Sequence, residues 1–270
     1  MNRRIGSRVL GWRTMIVALP VALYLLAAFP ASGQVNNSKH DFSGNPAGDS
    51  VTGVCTMCHT PHGGIQSQMA WNHTLSQNTH FWTEGATADG TPFPTIDPSW
   101  GGASKLCLSC HDGSVAIGDI AWFNQQEWTG GNAVDPTDHN GDGVQIGNAS
   151  GNLTDNHPFA FPYPWAGMGS TYNGVTSSAG AVLSGWQADP TMDGIRLFNQ
   201  NGSTVSAGTM TGATGIECSS CHDPHEGPDV QDKFFLRGST DAGDSNYICR
   251  KCHLSMGDYD SVNQLHPHFR

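Results

Sequence analysis

The chain has 270 residues and a formal charge of −11, with 13% charged residues, 34 Gly and 15 Pro. So few charges among so many turn formers exclude a coiled coil or long salt-bridged helices, and the acidic balance excludes nucleic acid as a partner because no basic surface could gather phosphates. Hydrophobic residues make up 37% of the chain, lean for its length, so something besides side chains is expected to fill the interior.

Residues 1–33 read as an export signal. Arg3, Arg4, Arg8 and Arg13 precede an apolar run over 16–29 that is too short to span a bilayer comfortably, and Ala31-Ser32-Gly33 supplies the small residues of a cleavage site. Taking those four arginines from the 12 basic residues leaves 8 against 23 acids in residues 34–270, a formal charge of −15. The sequence thus predicts an exported protein with no membrane span after signal removal.

Every cysteine then belongs to a C-x-x-C pair followed at once by His. The four occurrences are Cys55-Thr-Met-Cys58-His59, Cys107-Leu-Ser-Cys110-His111, Cys218-Ser-Ser-Cys221-His222 and Cys249-Arg-Lys-Cys252-His253, called motifs one to four below. Eight cysteines in an exported chain would ordinarily read as four disulfides, and C-x-x-C pairs also build Cys₄ zinc sites, but neither accounts for a His after all four pairs. Covalent attachment of c-type haem does. On one helical turn, Cys at i and i+3 share a face and reach the two vinyl groups of one haem, while His at i+4 reaches the iron. Four haem c groups are therefore expected, with His59, His111, His222 and His253 as proximal ligands.

Motif one continues as Thr60-Pro61-His62 and motif three as Asp223-Pro224-His225. In both, Pro stiffens the exit from the motif and directs the second His away from its own haem, which suits His62 and His225 to a neighbouring iron. Nine histidines remain beyond the four proximal ones, more than the four needed, so bis-His ligation is expected over His/Met. Between motifs two and three, residues 113–217 form a Gly-, Asn-, Thr- and Ser-rich insertion with short β-like runs such as Ile195-Arg196-Leu197-Phe198 and no sustained helical period. Within it, Asp138-His139-Asn140-Gly141-Asp142-Gly143 fits the opening of a calcium loop, with Asp138, Asn140 and Asp142 as candidate divalent-cation ligands, although position twelve is Ala149 where a closing Glu is required. The fold class expected is mostly irregular coil with short helices and a few short strands, organised around four covalent haems. One tetrahaem domain spans 34–270: haem pair one at about 34–112, the insertion at about 113–217, haem pair two at about 218–270.

On Ser38-Lys39-His40-Asp41-Phe42-Ser43, the run 55–62, Trp71-Asn72, the run 106–113, Asn156-His157-Pro158 and the run 218–225, the chain resembles the multihaem cytochromes c with doubled C-x-x-C-H motifs, and among them the tetrahaem OmcE-type extracellular cytochromes that form filaments. The resemblance implies that His40, His62, His157 and His225 are distal ligands and that haems stack in a continuous chain. It further implies that one protomer lends a His to a haem of the next. His40, near the start of the mature chain, is expected either to reach such a neighbour or to fold back onto its own chain. Asn156 stands where the family has Asp, and His73 follows Trp71-Asn72 where a basic residue is usual, which makes His73 and His80 reserve distal candidates.

The functional expectation is electron transfer without catalysis, since histidines exceed the open iron positions. The protein would be a protomer of an extracellular or cell-surface filament, its partners other copies of itself together with redox cytochromes or extracellular acceptors. The alternatives are a soluble monomeric periplasmic shuttle and a multihaem reductase with one open haem. Denaturing mass spectrometry of the exported protein should give the polypeptide cleaved near Gly33 plus four haems; zinc, or haem extracted by acidified acetone, would sink the assignment.

Overall fold

The computed structural model describes residues 35, 38–42, 54–64, 70–87, 90–123, 126–128, 145–165, 169–177, 185–225 and 235–254. The chain divides into Met1–Gly33 and Gln34–Arg270, and every described residue falls in the second part. The expected export signal and the candidate cation ligands Asp138, Asn140 and Asp142 lie outside the described residues. Among those described, no helix is long and apolar enough to cross a membrane.

Helix α1 (Ala103–His111) carries motif two. Its sequence, Ala-Ser-Lys-Leu-Cys-Leu-Ser-Cys-His, holds no Gly, Pro or β-branched residue to oppose a helix. It ends where Gly113 takes a left-handed φ of 73°, just after Asp112 donates its N–H to Leu108 O. Helix α2 (Cys218–Cys221) is a single turn made of motif three, and a 3₁₀ turn, Ile248–Lys251, carries most of motif four.

The strands are equally short. β1 (Ile120–Phe123) pairs antiparallel with β2 (Gln126–Trp128). In the insertion, β3 (Phe161–Pro162) and β6 (Phe198–Asn199) flank β7 (Thr214–Ile216) in an antiparallel sheet, and β4 (Thr171–Tyr172) pairs with β5 (Val175–Thr176). Asn173 and Gly174 join β4 to β5 with φ of 46° and 73°, the left-handed pair that a two-residue hairpin turn demands. Gly215 of β7 is glycine for a different reason: a Cβ there would lie 2.2 Å from the Tyr172 ring.

Two apolar clusters tie these pieces to the motifs. Tyr163, Ile195, Leu197, Val205, Met210 and Ile216 of the insertion pack with Leu236 and Ile248, and Cys221, Cys249 and Cys252 lie against them. Trp82, Ile96, Leu108, Leu153, Phe159 and Ala160 form the second, against which Cys218 rests. The insertion is thus packed onto motifs three and four. Of its β-like run, only Phe198 enters a strand; Ile195 and Leu197 are buried by packing without one.

The N-terminal ends of α1 and α2 cap each other. Ser104 N–H donates to Glu217 Oε2 (2.9 Å), and Cys218 N–H donates to Ser104 Oγ (2.9 Å), so each helix satisfies an open donor of the other. Glu217 also accepts from Tyr172 OH (2.7 Å) and Trp100 Nε1 (3.3 Å), and it is 1% exposed. Glu217→Ala would strand the buried donors of Ser104 and Tyr172 at about 1–3 kcal/mol each and the half-buried Trp100 indole N–H at less, so a loss of about 3 kcal/mol is expected in denaturant unfolding of the haem-loaded protein, with Glu217→Gln in between. A Glu217→Ala protein as stable as wild type would show that this junction does not hold motifs two and three together.

Candidate haem ligand sites

All eight cysteines are described and none forms a disulfide, leaving each thiol available for attachment. Burial pushes the thiols of Cys58, Cys110 and Cys221 up to about 11, 12 and 12 respectively. Helices α1 and α2 bring motifs two and three against each other, and Cys221 of motif three lies with Cys249 and Cys252 of motif four against one apolar cluster.

Local pairing fixes each motif. His59 bridges to Trp71, flanked by Thr60 N–H to Ala70 O (2.8 Å) and Asn72 N–H to Cys58 O (2.9 Å), while buried Asn72 donates its side-chain amide to Thr56 O (2.6 Å). The Trp-Asn phrase is therefore a clamp on motif one. Motif three is held by Asp223 N–H to Phe235 O (2.7 Å) and Arg237 N–H to Cys221 O (2.8 Å). Motif four is held by Gln187 N–H to Cys252 O (2.8 Å) and Leu254 N–H to Gly185 O (2.8 Å), with the Trp186 ring 4.3 Å from that of His253.

Two proximal histidines face a distal candidate. The His59 and His225 rings lie 6.0 Å apart at 18°, and the His111 and His40 rings 6.1 Å apart at 60°. Two metal–imidazole bonds of about 2 Å, plus roughly 1 Å from each ligating nitrogen to its ring centre, put axial rings about 6 Å apart. The spacing fits an iron between the members of each pair. His225 reaches motif one from the exit of motif three, and His40 sits against motif two of its own chain.

His40 is prepared for ligation. Its Nδ1 donates to Pro224 O at 3.3 Å, which leaves Nε2 for a metal, and Phe235 stacks on the ring at 4.6 Å and 12°. Phe235 does so from a φ of 60°, a strained conformation for a bulky residue. Burial first, and the nearby His111 second, lower His40 to about 4, so the imidazole is neutral at physiological pH, as a ligand must be.

The other candidates are placed differently. His73 is buried with Nδ1 2.8 Å from Thr74 O and Nε2 3.1 Å from the carbonyls of Ala116 and Ile117, a cradle that occupies both nitrogens. His80 is fully buried with Nε2 2.9 Å from Asp112 Oδ2. His157 turns Nδ1 toward Pro158 O at 2.9 Å, and His62 is exposed on the loop leaving motif one.

Two residues that sequence reasoning passed over adjoin proximal ligands: Asp112 after His111 and Asp223 after His222, both buried. Asp112 accepts at Oδ2 from Ser76 Oγ, Asn78 Nδ2 (3.1 Å) and His80 Nε2, and at Oδ1 from Ser114 N–H (2.8 Å) and Oγ (2.6 Å). Burial opposes its ionisation, but the hydrogen bonds from His80, Ser114 and Ser76 outweigh it and hold the carboxyl well below the usual range. The signal was present in the repeated Cys-His-Asp, although nothing in the sequence named its partners.

Residues 211–258, which include motifs three and four, match the family described as Doubled CXXCH motif. No curated protein matches the chain. The match supports a multihaem cytochrome of the c type, with haem bound covalently through these motifs.

His225→Ala and His40→Ala should each leave the attached haems in place and convert one iron to a high-spin ferric signal in electron paramagnetic resonance, and the double variant two. An unchanged low-spin spectrum in either single variant would remove that histidine from the ligand set.

Proposed function

We propose that the protein carries electrons along four bis-His haems arranged in the order of their attachment motifs, and that it is not an enzyme. The observation that supports this reading is the pairing of His59 with His225 and of His111 with His40 at about 6 Å, a spacing at which each pair would hold one iron from both faces and leave no position there for a substrate. Haem iron, when bound, supplies a one-electron couple. The chain's own residues hold motif two against motif three and motif three beside motif four, fix motifs one, three and four by backbone pairing, and keep at least His40 neutral for ligation.

The resemblance to filament-forming cytochromes supports an extracellular or cell-surface conductor built from many copies. A second reading, a soluble exported shuttle, gains from His40 lying on His111 of the same chain, since the two complete a ligand pair without a neighbour. A polymer would then take its shared ligand from an exposed histidine such as His62. The formal charge of −15 on residues 34–270 also makes self-association costly unless the interface excludes the acids.

Oxidised wild-type protein should show only low-spin ferric iron, reduce and reoxidise fully with one-electron reagents, and turn over neither nitrite nor sulfite. A stoichiometric high-spin signal with turnover would replace the carrier by a reductase. Electron micrographs of the same preparation decide between filament and shuttle: filaments lost in His62→Ala favour the first, dispersed particles at all concentrations the second.

A further inference from the structure

The two histidine pairs share a spacing and differ in angle. The His59 and His225 rings are nearly parallel at 18°, whereas the His111 and His40 rings are turned 60° from each other. A ligating imidazole can rotate about its metal–nitrogen bond unless groups beyond the ligand hold its plane. Around His40 two such groups are in place. Its Nδ1 donates to Pro224 O at 3.3 Å, and the Phe235 ring stacks on it with centres 4.6 Å apart at 12°. Phe42 lies nearly parallel as well, at 19°, but its centre is 6.3 Å away, in the outer range of ring contact.

Phe235 holds this position under strain. A φ of 60° is costly for a bulky side chain and persists only where the surroundings over-determine the backbone. Here they do. Phe235 O accepts from Asp223 N–H at 2.7 Å, Leu236 bridges to His222, and Arg237 N–H donates to Cys221 O at 2.8 Å. Three consecutive residues are thus paired to the end of motif three and the chain leaving it. Pro224 belongs to that same exit, so the carbonyl and the phenyl ring that hold His40 are both anchored by motif three. Glycine at 235 would relieve the strain and could not stack.

We propose that Phe235, together with the Pro224 carbonyl, is a positioning residue that fixes the plane of the His40 imidazole and so sets the 60° angle between the two axial rings of the motif-two iron. The proposal rests on the haem reading above and adds what fixes the geometry of one ligand pair. The angle matters because each imidazole donates π density into the metal orbital that its plane selects. Parallel rings load one orbital and split it from its partner, which gives a rhombic low-spin ferric signal. Crossed rings load both, bring them together and push the largest g value up. The steep pair at motif two should therefore show a larger highest g value than the near-parallel pair at motif one.

The test is electron paramagnetic resonance of the oxidised, haem-loaded protein, with haem count by mass alongside. The motif-two signal is assigned by its loss in His40→Ala and the motif-one signal by its loss in His225→Ala. Phe235→Leu keeps an apolar side chain without a ring; it should shift the largest g value of the motif-two signal and leave the motif-one signal where it was. Phe235→Tyr keeps the ring and should restore the wild-type position, while Phe42→Leu, at the wider stack, should shift it less. Phe235→Gly, free of the backbone strain, guards against a leucine variant that fails to fold and should shift the same signal. A motif-two signal unmoved in both Phe235→Leu and Phe235→Gly, moved as far by Phe235→Tyr, or moved more by Phe42→Leu would overturn the proposal while four low-spin haems remain. Low-spin signals all unchanged in His40→Ala, or a wild-type protein without four covalent haems, would instead overturn the ligand and haem reading.

Discussion

Everything in this fold that matters for the ligand sites depends on one junction, the mutual capping of α1 and α2. A helix of nine residues and another of a single turn cannot stand alone, because nucleation costs more than so few hydrogen bonds return. Ser104 and Glu217 meet that cost across more than a hundred residues of chain, each answering an open N–H at the start of the other's helix. With the two ends locked, motifs two and three are carried on helices that begin at one shared junction. Glu217 is buried and its carboxyl is raised by that burial despite its hydrogen bonds, so the junction tolerates water poorly. Tyr172 closes it by lying across Gly215, the one residue of that sheet without a side chain to obstruct the ring.

What the sequence made legible is whatever covalent chemistry forces into local spacing. C-x-x-C-H must place two sulfurs and a nitrogen on one haem, so it is written in five consecutive residues and read without a structure. The proline of Cys-His-x-Pro-His is equally local, and of the two histidines that follow it the His225 ring lies 6.0 Å from that of His59. Distal partners in general are not written locally. His40 meets His111 only because Phe235 and Pro224, far along the chain, build the other wall of its site. His73 and His80 look from sequence like any spare ligand. Only the carbonyls of Ala116 and Ile117 and the carboxylate of Asp112 reveal that these imidazoles serve the backbone and a buried anion.

The scarcity of regular structure follows from the same logic. Attachment fixes each haem at three points, so the chain has only to wrap it, and wrapping needs turns more than long helices or sheets. The insertion shows how little suffices: beside strands of two or three residues, Tyr163, Leu197 and Ile216 share one apolar cluster with Cys221, Cys249 and Cys252 against it. Its Gly- and Asn-rich composition supplies the turns between very short strands. The Asn173-Gly174 turn is an instance that the sequence could have yielded, since its residue pair selects a tight hairpin.

A repeated motif need not give repeated function. Motifs two and three present the same Cys-x-x-Cys-His-Asp to haem, and their backbones meet at a shared cap, yet the residues that answer the aspartate arrive from unrelated segments: Ser76, Asn78 and His80 for one, Arg196 and Arg237 for the other. Attachment chemistry constrains the motif itself and leaves those segments free to vary. The motif therefore repeats while the segments packed on each copy of it differ.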